Sequence, residues 1–369
     1  MITKRLYFID AVRAFAILMM LQGHFIDTLL DIKFRDKTNL VFILWEYFRG
    51  ITAPTFFTIS GLIFTYLIML ARKKGKVESR LKKGVVRGLM LIAIGYMLRI
   101  PIFRWFKGEF DYYFMVIDVL QCIGLSLLII ILFYNLVLKN HTVFSLLMIF
   151  TGTIIFLTEP LYRTYTATNI PLFIANYVSK ANGSIFTIIP WFGYMAYGAF
   201  IATLFFRYIK FPKFKNLAIS TFLLIGMFLI NFSTYFFDFI YSITKIELIN
   251  NVSNYNYLFI RLGNVLVLFA IFYAFERFLK IPIILKIGQK TLSIYVIHFI
   301  ILYGSFTGIG LNSLISNKLD PCKAVFGAIL FLVSVSLISV YRTKANTYIY
   351  ARLRMLAVKI RLIELKRDN

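Results

Sequence analysis

The chain is poor in the residues that build soluble sites. It has two cysteines among 369 residues, Cys122 and Cys322. One falls inside an apolar segment and the other in a connecting loop, so neither a disulfide framework nor a metal site is expected of them. Charged residues make up 15% of the chain, and only 16 are acidic, against 41 Lys and Arg. No small-residue cleavage site follows the first apolar segment, which is too long and too charged to be read as a signal peptide. No stretch has the composition of a soluble domain, and no short-period repeat is visible.

What is present is apolar. Hydrophobic residues account for 60% of the chain and the mean hydropathy is +0.79. Continuous runs near the ~20 residues that cross a bilayer recur throughout, where a transmembrane β-barrel would show short alternating segments. The expected fold is therefore all-α, a polytopic membrane protein. Ten spans are expected, at roughly 6–30, 41–70, 84–105, 112–138, 142–160, 185–206, 214–237, 256–276, 285–305 and 324–342. Residues 1–345 form the membrane domain and 346–369 a basic cytoplasmic tail, read either as an amphipathic helix on the inner leaflet or as a solvated segment.

The net charge of +25 follows topology rather than a nucleic-acid partner. With the N-terminus inside, 27 of the 41 basic residues fall in cytoplasmic loops and tails, 11 in outer loops including Arg35 and Arg99, and three, Arg13, Arg49 and Arg261, within spans. That asymmetry is the positive-inside bias, and it puts both termini in the cytoplasm of a multi-pass inner-membrane protein. Part of the charge also attracts anionic lipid.

Ionisable groups inside spans are costly unless paired or solvated, so they mark sites. The first span, "FIDAVRAFAILMMLQGHF", holds Asp10, Arg13 and His24. At 100° per residue the three share one face, and Arg13 and His24 stand about 16 Å apart along the axis. Asp10 and Arg13 have i,i+3 spacing and serve either as an interfacial anchor or as the mouth of a polar path. Arg49 sits near the outer end of span two, where Pro54 is expected to bend the helix ahead of Ser60. Asp118 lies near the outer end of span four, as a structural partner for Arg49 or Arg261 or as part of a site. Trp191 is at the same level, where an interfacial belt explains it. "IGQKTLSIYVIHF" carries Lys290, Tyr295 and His298, while His141 reads as exposed. By depth, His24, Arg49, Asp118 and Arg261 group towards the outside, and Asp10, Arg13, Arg87 and Lys290 towards the inside, as in a two-ended polar channel.

Arg13 and His24 within "IDAVRAFAILMMLQGH", together with "FFTISGL" and "GQKTLSIYVIH", resemble the membrane acyltransferase superfamily that includes acyltransferase family 3. "RGITAPTFFTISGL", "KKGVVRGLMLIAIGY" and "IPWFGYMAYGAF" are closer to its heparan-α-glucosaminide N-acetyltransferase-like branch, from about residue 5 to 310. The paired arginines usual at the inner end of span three are here Lys83 and Arg87. The resemblance implies transfer of an acetyl group from cytosolic acetyl-CoA to an amino or hydroxyl group of an extracytoplasmic sugar or envelope glycan. It implies His24 as general base, Asp118 as its orienting group or an acceptor ligand, and Arg49 with Ser60 as oxyanion donors. Donor binding is implied for Asp10, Arg13, Ser60, Arg87, Lys290, Tyr295 and His298. The bilayer is the standing partner, nucleic acid is not one, and a homodimer is left open. A transporter or flippase for a polar or glycolipid substrate is the competing reading, weakened because no duplicated pair of broken helices is evident across two halves.

The topology is testable directly. Reporter fusions at residue 245 and at the C-terminus are expected to report opposite sides of the membrane. Agreement between the two would overturn the charge-based orientation.

Overall fold

The computed structural model describes residues 6–110, 112–137, 140–167 and 169–341. Among these it is about 80% helical and has no strands. The chain is an all-α polytopic membrane protein. The principal helices are α1 (Tyr7–Leu29), α2 (Leu40–Arg49), α3 (Thr52–Lys73), α4 (Val77–Arg99), α5 (Val119–Leu136), α6 (His141–Leu157), α7 (Ile188–Tyr208), α8 (Phe214–Asn231), α9 (Tyr257–Ala274), α10 (Pro282–Gln289), α11 (Thr291–Tyr303) and α12 (Pro321–Tyr341). Lys4, Arg5, Lys139 and the basic tail lie outside the described residues.

Each of the ten expected spans is helical, but not all are built alike. Among the described residues seven helices are long and apolar enough to cross a bilayer, and α10 with α11 makes an eighth if the bent pair is one span. Two segments fall short for separate reasons. The first three turns of α4 carry Glu78, Arg80, Lys82, Lys83 and Arg87, which leaves an apolar stretch of little more than three turns. α6 is only 17 residues long.

Span two also differs from expectation. The chain breaks at Gly50–Ile51, between α2 and α3, and Pro54 falls in the first turn of α3. There its missing N–H is one that no helix would have bonded, so it breaks nothing. The hydroxyls of Thr55 and Thr58 donate to the carbonyls of Ile51 and Pro54 at 2.8 Å each. α2 itself has no buried residue.

The bundle is drawn together by small residues. α3 and α7 make the most extensive contact. A Cβ on Gly198 would collide with the Thr58 carbonyl oxygen, and one on Gly61 with the Met195 carbonyl oxygen. With no hydrophobic drive between helices in lipid, such close backbone approach is what dispersion requires. Around this pair lies an apolar core that includes Phe57, Leu62, Tyr194, Met195 and Phe205, all at most 1% exposed. Trp191 is half-buried against that core, with ring centroids 5.1 Å from Phe57 and 4.8 Å from Phe186.

At the end opposite the basic loops, Arg35 clasps the chain. Its Nη2 donates to the carbonyls of Asp27 and Leu30 at 2.7 and 2.9 Å and to Asn317 Oδ1 at 2.5 Å. The Asp31 amide donates to the Leu319 carbonyl, and the Leu319 amide to Leu29, each at 2.9 Å. The loop before α12 is thereby fastened to the end of α1.

The close α3–α7 contact predicts that Gly198→Ala destabilises the protein, because the added methyl meets backbone that cannot rotate away. The expected cost is about 1–3 kcal/mol. A thermal unfolding curve in detergent should shift downwards, and an unchanged midpoint would show that the two helices are free to separate.

Candidate functional site

The site grows from the pairing of α1 with the bent α10–α11 unit. α10 lies tightly on the start of α1, where a Cβ on Gly288 would collide with the Asp10 carbonyl oxygen. The chain then turns by 72° into α11. From there α1 and α11 run side by side in one register. Arg13 Nη2 donates to Thr291 Oγ1 at 3.0 Å, and eleven residues further on His24 Nδ1 lies 3.0 Å from Tyr303 Oη. The sequence offsets of these pairs are 278 and 279, so the two contacts hold the same alignment at both ends.

Around His24 the side chains gather closely. The His298 ring lies 5.4 Å from that of His24, and Tyr295 packs edge-on against His298 at 4.9 Å. Thr28 Oγ1 donates to Tyr303 Oη at 3.5 Å. His298 is 1% exposed, and its ring nitrogens lie against the backbone of Ile294 and Tyr295 without a well-formed bond to either. His298 therefore stands beside His24 rather than on a separate level.

Asp118 reaches the same cluster from α5, within electrostatic range of His24 and next to Tyr295. It is the N-cap of α5. Oδ1 accepts from the Val119 amide at 2.8 Å, and the Gln121 side chain accepts from the Asp118 amide at 3.3 Å. The anion is placed at a helix N-terminus, where amide donors and the helix dipole favour it. Its ionic partner is neither Arg49 nor Arg261 but Arg99, from the last turn of α4, at 2.9 Å. Arg99 is 8% exposed and is no loop residue. Its guanidinium stands 4.8 Å from the Tyr113 ring and 5.9 Å from Phe299.

The two arginines offered as alternatives to Arg99 have other work. Arg49, at the end of α2, pairs with Asp27 on α1 and crosses Gly23, whose lack of a side chain admits it. Arg261 Nη1 donates to the Tyr47 carbonyl at 2.9 Å and its guanidinium covers the Tyr47 ring at 4.9 Å. Tyr47 Oη in turn donates to Asn264 Oδ1 at 2.6 Å. Ser60 is half-buried in α3, and no contact described joins it to the histidine cluster.

At the basic end the groups are Asp10, Arg13, Arg87 and Lys290. Asp10 Oδ1 and Arg13 Nη1 are 3.9 Å apart. Arg87 is exposed on α4 and within electrostatic range of Arg13. Lys290 stands at the bend between α10 and α11. Between this end and His24, α1 presents Ile17, Met20 and Leu21, with Ile17 and Leu21 fully buried. The polar groups thus form two separate ends with apolar surface between them, not a continuous charged stripe. His141 is half-buried, its Nε2 3.4 Å from Arg72 Nη1 and its ring against Phe206, rather than simply exposed.

Among the residues of these contacts, Asp27, Arg99, Thr291 and Tyr303 escaped the sequence reading. Asp27 had a signal, since it follows His24 by three residues on the same helix face. Thr291 and Tyr303 are ordinary residues of an apolar helix, and only its register against α1 brings them to Arg13 and His24.

A histidine–tyrosine–carboxylate cluster thus sits inside a many-helix membrane bundle, with cations at the opposite end of the same helix. The sequence model described as heparan-alpha-glucosaminide N-acetyltransferase, catalytic, matches residues 5–236. The match spans more than half of the chain, and the chain belongs to that family. It includes Arg13, His24, Arg99 and Asp118 and ends before α11. Comparison with curated proteins returned no match.

The Arg99–Asp118 pair yields a stability prediction. Removing one partner strands a buried charge at a typical cost of 3–5 kcal/mol, whereas replacing both by apolar residues costs much less. Arg99→Met and Asp118→Leu are each expected to lower the unfolding midpoint strongly, and the double variant to recover most of the loss. Additive losses would mean that the two charges are not coupled.

Proposed function

We propose that this protein moves an acetyl group from cytosolic acetyl-CoA to an amino or hydroxyl group of a sugar on the far side of the membrane. The observation that carries the reading is the placement of His24 and Arg13 on one face of one helix, about 16 Å apart. The extended pantetheine arm of CoA covers such a distance. Arg13, Arg87 and Lys290 offer cations to its phosphates at the basic end, with Arg13 already held by Thr291. Arginine suits this work because its planar fork matches phosphate oxygens. The apolar stretch of Ile17, Met20 and Leu21 then faces the uncharged arm rather than the phosphates.

At the other end His24 supplies the base. When Nδ1–H donates to Tyr303 Oη, Nε2 keeps its lone pair and can take the proton of the attacking amine or hydroxyl. The nucleophile then adds to the thioester carbonyl, the tetrahedral intermediate collapses, and CoA leaves as thiolate or thiol while the acyl group stays on the sugar. Asp118, paired with Arg99 but within electrostatic range of His24, orients the field towards the imidazole, and His298 and Tyr295 wall it on the α11 side. Arg49, tied to Asp27, supports the helix end near the base more directly than it supplies an oxyanion donor.

The competing flippase reading rests on the bend between α10 and α11, since broken helices also line transport pathways. The two readings differ in what acetyl-CoA does. An acetyltransferase gains stability on binding it, by the logarithm of ligand concentration over Kd. A flippase does not.

Two substitutions separate donor binding from chemistry. His24→Ala is expected to lower acetyl transfer to a sugar acceptor by 10²–10⁴-fold while acetyl-CoA affinity is retained. Arg13→Ala is expected to weaken acetyl-CoA binding about tenfold or more, the loss of a charge-assisted contact. Titrating acetyl-CoA and measuring transfer in the same membranes checks both. Near-normal transfer by His24→Ala would leave His24 as a packed core residue.

A further inference from the structure

The pair that anchors Asp118 leaves donors unused. Arg99 has three nitrogens bearing five N–H groups and no acceptor capacity. Only Nη2 is engaged, with Asp118 Oδ2 at 2.9 Å. Nε and Nη1 are buried and find no partner among the described residues. The same is true of Nε2 of Gln121, a residue with no exposed surface whose Oε1 accepts from the Asp118 amide. Gln121 shares the capping box of Asp118, so all three unsatisfied nitrogens belong to side chains hydrogen-bonded to Asp118. A buried donor without an acceptor costs about 1–3 kcal/mol, and a cluster of three calls for an oxygen to fill it.

The chemistry of that oxygen follows from the charges. The Asp118 carboxylate already balances the Arg99 guanidinium, so the pocket holds no net charge for a phosphate or carboxylate to answer. What remains is a set of pure donors, which suits the neutral oxygens of a polyol. The position fits as well. Arg99 is in the last turn of α4, at the end opposite the basic loops, and the ring over its guanidinium is Tyr113, which is 61% exposed. The Phe299 ring stands 5.9 Å from the same guanidinium and is 9% exposed. Phe299 also touches His298 and Tyr303, at 6.1 and 4.9 Å between ring centroids, so the pocket adjoins the His24 cluster.

We infer that Arg99 and Gln121 form a donor pocket for hydroxyl oxygens of the acceptor saccharide, positioning it beside His24. Asp118 holds one edge of the guanidinium and thereby aims the rest. This rests on the transferase reading for the identity of the guest as an acceptor, but the pocket itself is testable by binding.

The test uses the purified full-length protein, with methyl α-glucosaminide as the saccharide probe and acetyl-CoA titrated separately. Arg99→Lys keeps a cation for Asp118 but removes the planar fork, and Gln121→Met removes the amide at similar volume. Each is expected to weaken saccharide binding at least tenfold, with acetyl-CoA affinity unchanged. If Arg99→Lys melts lower than the parent protein, Gln121→Met carries the test. Unchanged saccharide affinity in the folded variants overturns the pocket, as does a parent protein that does not bind the saccharide. A fall in kcat with unaltered saccharide KM also overturns it, because the oxygen held would then be the acyl carbonyl. A parent protein that binds the saccharide in an Arg99-dependent way but transfers no acetyl sustains the pocket and removes the transferase reading instead.

Discussion

The alignment of α1 with α11 is the constraint on which the rest of the site depends. Two polar contacts, Arg13 to Thr291 and His24 to Tyr303, fix it at positions eleven and twelve residues apart on the two helices. Neither contact is strong by itself, since a side-chain hydrogen bond contributes only about 1 kcal/mol net. Their effect is geometric. Side chains on adjacent turns differ by more than 5 Å in height, so a slip of one turn would move both His298 and Tyr303 away from His24. The bend at Lys290 makes the alignment reachable, because α10 packs on the Asp10 backbone through Gly288 before α11 rises beside α1.

Charge is placed in this bundle by a consistent rule. Towards the basic end cations outnumber anions and stand exposed or half-buried, where anionic lipid and anionic ligands can reach them. At the opposite end each charged group near the histidines has a counter-charge: Arg99 with Asp118, Arg49 with Asp27. Burying the Arg99–Asp118 pair spends free energy that an apolar core would not require. The return is order. Arg99 and Asp118 join the end of α4 to the start of α5, and Arg49 and Asp27 join α2 to α1, so the walls around His24 are tied across two helix junctions. A site built on helix ends held in this way keeps its donors in place without flexible loops.

The apolar interval between the two ends changes how a donor would be accommodated. A continuous charged stripe would bind any long anion along its length. The interval of Ile17, Met20 and Leu21 is apolar instead, with Ile17 and Leu21 fully buried in the core. The polar groups are thereby divided into two sets, Arg13 with its neighbours and His24 with its own.

Much of this was legible in the sequence, for reasons of period and solvent. Hydropathy identifies the spans because a bilayer forbids unsatisfied backbone, and a 3.6-residue period places Asp10, Arg13 and His24 on one face without any knowledge of their neighbours. The oddity of ionisable groups in apolar runs was enough to single out Asp118 and His298 as well. What remained for tertiary structure was partnership. Asp118 pairs with Arg99 rather than Arg49 because α4 and α5 pack antiparallel along their length, through Gly88 on Gly124 and Gly95 on Gln121, which brings the end of one beside the start of the other. His298 lies beside His24, and Pro54 is harmless, because of where helices begin and how they align. A single sequence encodes which faces are polar; only packing, through close contacts such as Gly288 on Asp10, decides which polar face meets which.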